Sequence, residues 1–151
     1  MTNLSMISRP SRESIWIQVA QLFATRSTCL KPNGAILVKE NRLISQGYNG
    51  SPSGQPHCID LGKCEIGPDG GCIRTVHAET NCICTAAKLG ISTKGSTLYC
   101  TSSPCYTCAK LLVNAGVKKV VYLDAYRDPS GIELLKACGV EVVKYGEPSE
   151  G

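Results

Sequence analysis

His77-Ala78-Glu79 and Pro104-Cys105-Tyr106-Thr107-Cys108 are the stretches of this chain whose residue types and spacing can do chemistry. Cys105 and Cys108 are three apart, so on a helix they share a face and can grip one ion. His77 supplies a third ligand. Three protein ligands leave a tetrahedral zinc one open position, which marks a catalytic rather than a structural site. Two thiolates neutralise the dication and a neutral imidazole adds no charge, so the cluster can be buried. Helix starts favour thiolates through their free N–H groups. The open position suits a water, whose pKa zinc lowers to about 7. Glu79, two residues from His77, is not spaced to coordinate. Its natural role is to take a proton from that water and pass it to a leaving group.

The elements that must position these residues follow from periodicity. Ser11 precedes a helix over Arg12–Ala24, with Ile15, Val19, Leu22 and Phe23 at core spacing. Ala35–Val38 reads as a buried strand, Lys39-Glu40-Asn41 as a turn, and Arg42–Gly47 as the returning strand. The stretch from Gln55 to Thr75 has no periodicity and holds His57, Cys58, Cys64 and Cys72. Helices are predicted over Ala78–Leu89, Cys105–Ala115 and Ile132–Cys138, each closed by a glycine. Strands are predicted over Gly95–Thr101, Lys118–Leu123 and Val140–Lys144. This order predicts one three-layer α/β domain over residues 1–151, with a central sheet of about five strands. The starts of the two motif-bearing helices then fall at one sheet edge, where open α/β sheets place ligands.

Composition bounds the rest. A chain of 151 residues with 42% hydrophobic and 19% charged residues is one globular domain, and 5% aromatics leaves the core to Val, Ile, Leu and Ala. A net charge of +4 suits phosphorylated small molecules, without the basic runs of a nucleic-acid coat. No apolar stretch approaches the ~20 residues of a membrane span, and residues 1–12 lack the apolar region of a secretory signal, so a cytoplasmic protein is expected. In a reducing compartment its ten cysteines are metal ligands or small buried hydrophobes rather than disulfides. Cys82, Cys84, Cys100 and Cys138 are expected in the second class.

His-x-Glu followed by Pro-Cys-x-x-Cys is the signature of zinc-dependent nucleobase deaminases. The chain resembles the cytidine and deoxycytidylate deaminase superfamily over nearly its whole length, through His77–Asn81, Ser103–Lys110 and Asn33-Gly34-Ala35. That resemblance implies a cytidine-deaminase-like fold with a central mixed sheet flanked by helices. The loop Gly47-Tyr48-Asn49-Gly50-Ser51-Pro52-Ser53-Gly54 is similar to the Gly-Tyr-Asn-Gly loop of deoxycytidylate deaminases. It implies deamination of dCMP to dUMP and ammonia, activated by dCTP and inhibited by dTTP, with Mg²⁺ beside the effector's phosphates. Gly47, Tyr48, Asn49, Gly50 and Ser51 then serve the effector, and Lys88 matches a basic position for its phosphates. On the substrate side the resemblance implies Asn33 at the deoxyribose, backbone groups around Ala35 and Ala78 at the cytosine edge, and Tyr126 in the pocket. Ser102 and Ser103, just before a helix, suit a phosphate.

Members of that family from bacteria and phages often carry a second, structural zinc. Cys29, Cys58 and Cys72 match its positions, with Cys64 or His57 as the fourth ligand. The family also forms oligomers, often hexamers. Rival readings are a dCTP deaminase, a deaminase of cytosine or adenine in nucleic acid, and a zinc-stabilised binding module without catalysis. Few aromatics and no basic stripe oppose stable nucleic-acid binding, and Glu79 opposes the module.

Overall fold

A computed structural model describes residues 4–148. After a short 3₁₀ turn at Leu4–Met6, helix α1 spans Arg12–Ala24 and the hairpin β1 (Gly34–Lys39) and β2 (Arg42–Tyr48) follows. A single turn of helix, α2 (Cys58–Leu61), interrupts the cysteine-bearing stretch. Then come α3 (Ala78–Leu89), β3 (Thr97–Ser102), α4 (Tyr106–Asn114), β4 (Lys119–Asp124), α5 (Ser130–Ala137) and β5 (Glu141–Lys144). The five strands form one mixed sheet in the order β2-β1-β3-β4-β5. β1 is antiparallel to both β2 and β3, while β3, β4 and β5 run parallel. Glu40 and Asn41, with φ of 51° and 57°, make the two-residue turn whose twist suits a tight hairpin.

Alternation along the strands sorts the core into two layers. Ala35 and Leu37 of β1 join Leu98, Cys100 and Val120 beneath α3, α4 and α5. Ile36 and Val38 join Tyr99, Val121 and Val143 beneath α1. The three layers are therefore α1, the sheet, and the α3–α5 group, as the sequence predicts. Among the described residues no helix is long and apolar enough to cross a membrane.

Two expectations need correction. On α1 the buried residues are Ile17 and Ala20, flanked by Trp16, Val19 and Phe23, while Ile15 and Leu22 are exposed. The run Ile15-Trp16-Ile17 is apolar on more than one side of the helix, and the sheet covers only a narrow stripe of it. Cys84 and Cys138 are exposed, unlike Cys82 and Cys100. Cys84 sits on the outward side of α3, and Cys138 caps the end of α5. The 55–75 stretch, without periodicity in sequence, is organised by α2 and by an Ile66–Cys72 antiparallel bridge.

Close backbone approaches lock the helices where the motifs need them. Gly47 lets β2 lie directly on the first turns of α3, because a Cβ there would meet the Ala78 carbonyl and the Cys82 amide. The Ser45 hydroxyl donates to the Cys82 carbonyl at 2.7 Å, and the Cys82 thiol donates to the Ala35 carbonyl at 3.0 Å. Gly131, at the start of α5, sits against the Pro104 and Cys105 carbonyls with no room for a Cβ. A Gly131→Ala variant should therefore lose ~1–3 kcal/mol of stability through overpacking. It should also hold metal less well, since the displaced atoms belong to Cys105. Thermal unfolding and metal content check both, and a wild-type melting temperature with full metal would contradict the tight contact.

Candidate metal centre and active site

His77 is the N-cap of α3 and Cys105 the N-cap of α4, both in extended backbone conformations. Cys108 lies in the first turn of α4, and its amide donates to Cys105 Sγ at 3.5 Å. His77 Nδ1 is 3.4 Å from Cys105 Sγ and 3.4 Å from Cys108 Sγ. The three ligand atoms lie within 4.8 Å of one another. A tetrahedral zinc with ordinary Zn–S and Zn–N bonds would set such S···N separations at about 3.5 Å. The donor set therefore fits zinc without rearrangement.

The electrostatics agree. Without a cation, Cys105 is pushed down to about 4, chiefly by the hydrogen bond from the Cys108 thiol and also by His77, against the opposing effect of burial. Cys108 is raised by the same pairing and by burial. His77 is raised by its hydrogen bond with Cys105, which outweighs burial. Negative charge is thus favoured on Cys105 and disfavoured on Cys108, while the imidazole is drawn toward its cationic form. A divalent cation satisfies all three groups at once.

Glu79 stands outside the ligand group and is 6% exposed. Burial raises its carboxyl above the usual range. It lines a cavity of about 150 Å³ together with His77, Ala78, Cys105, Asn33, Asn49, Ser102, Ser103 and Tyr126. A cavity of about that size holds a single six-membered ring.

The structure separates the expected substrate residues by role. Asn33 lines the cavity, its side-chain oxygen accepting from the Thr101 hydroxyl at 3.1 Å. Ala35 is fully buried in β1, its carbonyl taken by Cys82, and it lies away from the cavity wall. Ser103 is buried, and its hydroxyl accepts from the Tyr126 amide at 2.7 Å, fixing Tyr126 beside the cavity. Among the loop residues read as an effector site, Gly47 serves helix packing and the Tyr48 carbonyl accepts from Asn81 at 2.8 Å. Gly50 is bonded to Val76 in an isolated bridge, and Ser51 Oγ is buried without a partner. Asn49 turns to the cavity instead. Its amide oxygen accepts from the Asn33 amide at 2.8 Å and its NH₂ donates to the Lys31 carbonyl at 2.9 Å, so it shapes the 31–33 turn. Lys88 is exposed in the last turn of α3, well beyond the Ala78–Cys82 segment that meets Gly47.

Sequence reasoning missed two cations that line the cavity, Lys31 and Arg127. The Arg127 guanidinium lies over the Tyr126 ring at 4.7 Å and donates to the Asp69 carbonyl. No local signal marks either residue, because 96 positions separate them in the chain and only the fold brings them to one cavity.

Cys58, Cys64 and Cys72 form a second group within 4.8 Å of one another. Cys58 and Cys72 Sγ are 3.8 Å apart, the separation two thiolates take on one tetrahedral zinc, about 3.8 Å. Burial and the neighbouring Cys72 push Cys58 up to about 11. Burial acts the same way on Cys72, but the Arg74 and Thr75 amides and the Cys58 thiol outweigh it and lower that group. Cys29 lies outside the group but shares the cavity wall with Cys64 and Cys72, and their charges help raise its pKa after burial. His57 also lies outside it, exposed at the N-cap of α2, where its amide donates to Asp60 at 3.0 Å.

Residues 10–124 match the family model of the cytidine and deoxycytidylate deaminase zinc-binding region. The chain belongs to that family. It is 40% identical over 138 residues to ComE operon protein 2 of Bacillus subtilis, covering 90% of this chain and 72% of that protein. It is 34% identical over 154 residues to the deoxycytidylate deaminase of Saccharomyces cerevisiae, covering 97% of this chain and 49% of the yeast protein. The chain thus spans about half the length of that relative. The crystal structure of the dCMP deaminase from the cyanophage S-TIM5, in complex with dCMP and dUMP, matches with a TM-score of 0.80 at 39% identity. That match covers 91% of this chain and 99% of the phage chain.

For a deaminase of this family, Cys105→Ser should lower bound zinc by one ion per chain while the far-ultraviolet circular dichroism stays α/β. Elemental analysis on gel-filtered protein checks this. Unchanged zinc in that variant would place the ion elsewhere.

Proposed function

We propose that the chain is a zinc-dependent deoxycytidylate deaminase, which hydrolyses the C4 amino group of dCMP to give dUMP and ammonia. The observation that carries this reading is the buried Glu79 carboxyl beside a three-ligand metal site, facing a ring-sized cavity with two cations on its wall. Zinc held by His77, Cys105 and Cys108 supplies Lewis acidity that makes a water nucleophilic near neutral pH. Glu79 would take one proton from the attacking water and give it to the ring at N3, then take the remaining hydroxyl proton and deliver it to the departing amine as the C4–N bond breaks. Its burial keeps those protons from exchanging with bulk solvent between transfers. Asn33, oriented by Thr101 and Asn49, faces the sugar. Arg127 and Lys31 receive the 5′-phosphate, and Ser102 adds a polar contact before α4.

The second cysteine group supports a structural zinc held by Cys58, Cys64 and Cys72 with Cys29 as the fourth ligand, in preference to His57. Ten cysteines with no disulfide among them suit a reducing, cytoplasmic compartment. We also infer regulation by dCTP as activator and dTTP as inhibitor, with Mg²⁺ on the effector's phosphates. The resemblance of the Gly47–Gly54 loop supports this, as does the unpartnered Ser51 hydroxyl. Within one chain, Lys88 lies roughly 12 Å along α3 from the loop's contact. A site that uses both spans that separation within one chain or draws them from two copies of a homo-oligomer, the hexamer being the family's usual form.

Two experiments test these assignments. In the first, Glu79→Gln should keep its zinc and lose ~10²–10⁴-fold in turnover of dCMP. Arg127→Ala in the same assay should raise KM for dCMP at least tenfold while leaving turnover of unphosphorylated deoxycytidine nearly unchanged. Near-normal turnover by Glu79→Gln would remove the mechanism, and equal losses on both substrates would remove Arg127 from the phosphate. In the second, wild-type protein should hold two zinc ions, and Cys58→Ser should lose one together with thermal stability. A single zinc in folded wild-type protein would eliminate the second centre.

A further inference from the structure

The first turn of α3 carries more than His77 and Glu79. Thr80 is three residues after His77, so the two share a side of the helix. Its hydroxyl lies 3.5 Å from Cys108 Sγ, across the contact between α3 and α4. We propose that Thr80 is a positioning residue for the catalytic metal, its hydroxyl donating to Cys108 Sγ and fixing that sulfur in the ligand tetrahedron.

The two ligand sulfurs differ in what supports them. Cys105 Sγ receives the Cys108 amide at 3.5 Å, so the turn of α4 itself supplies its donor. Cys108 is 2% exposed and cannot rely on water. Its sulfur meets His77 and Cys105, both fellow ligands, as well as Glu79 and the Thr80 hydroxyl, which is the neutral donor among them. A metal-bound thiolate has no proton to give, so the Thr80 hydroxyl must be the donor. A buried anion without a donor is costly, and hydrogen bonds to charged acceptors are about twice as strong as neutral ones.

The residue type suits the task. Threonine is stiff at χ1, so in a helix its hydroxyl is held in few orientations and loses little entropy on bonding. It is also a poorer helix former than alanine. At this half-buried position the hydroxyl gives the side chain a contact that an alanine or valine would lack. Outer-shell partners of metal ligands orient them and tune the ion, and their removal typically costs about 10–100-fold in metal affinity.

This inference rests on zinc being held by His77, Cys105 and Cys108, and the test separates the two. Zinc affinity is measured on purified protein by competition with a chromogenic chelator, for the wild type, Thr80→Val and Thr80→Ser. Cobalt(II) is then substituted for zinc and the sulfur-to-cobalt charge-transfer band recorded. Thr80→Val, close in shape but without the hydroxyl, should bind zinc about tenfold or more weakly. Its charge-transfer band should move to longer wavelength, because a sulfur without its donor gives up electrons more readily. Thr80→Ser should restore both affinity and band position. Should the valine variant fail to fold, Thr80→Ala takes its place with the same expectations. Wild-type affinity and an unmoved band in the hydroxyl-free variants would overturn the proposal. So would equal losses in the serine and valine variants, since packing would then be the cause. Absence of zinc from the site in wild-type protein would instead overturn the metal centre itself.

Discussion

A buried sulfur, a half-buried one and an imidazole held within 4.8 Å of one another are the constraint on which the rest of this structure depends. None of the three is comfortable there alone. The thiols compete for one negative charge, and the imidazole is drawn toward its cationic form. Only the ends of two rigid elements can hold such a group together. The fold provides them by starting α3 and α4 at one edge of the sheet, with β3 between them in the chain. Gly47 and Gly131 are part of this arrangement, because each lets a neighbouring backbone press on a helix start that carries a ligand.

The second cysteine group extends the same logic to the long 55–75 stretch. Cys64 and Cys72 line the same cavity as His77 and Glu79. The turn from Gly67 to Gly71, closed by a 2.8 Å amide–carbonyl bond, carries the Asp69 carbonyl to the Arg127 guanidinium. A loop without a core of its own thereby forms a wall of that cavity. Its cysteines Cys64 and Cys72 accordingly help to shape the cavity.

Much of this was legible in the sequence, for local reasons. His77 and Glu79 on one helix start, and Cys105 and Cys108 on another, are short-range patterns that fix their own geometry. The order of helices and strands followed from apolar periodicity and closing glycines. What stayed hidden depends on long-range packing. Asn49 reads in the sequence as an effector-loop residue, yet its side chain organises the 31–33 turn at the cavity beside Glu79. Lys31 and Arg127 share a cavity wall only because the fold brings the turn before β1 and the segment after β4 together. The face of α1 was misjudged because Ile15, Trp16 and Ile17 are all apolar and the sheet decides which are covered. The exposed Cys84 and Cys138 show that residue type alone does not bury a thiol.

The most direct test of the account is an isotope measurement on purified, zinc-loaded protein given dCMP in ¹⁸O-labelled water. The account predicts dUMP carrying one ¹⁸O at C4, read by mass spectrometry, with one ammonia released for each dUMP formed. Fully zinc-loaded, folded protein that leaves dCMP unchanged, or a product without the label, would contradict it.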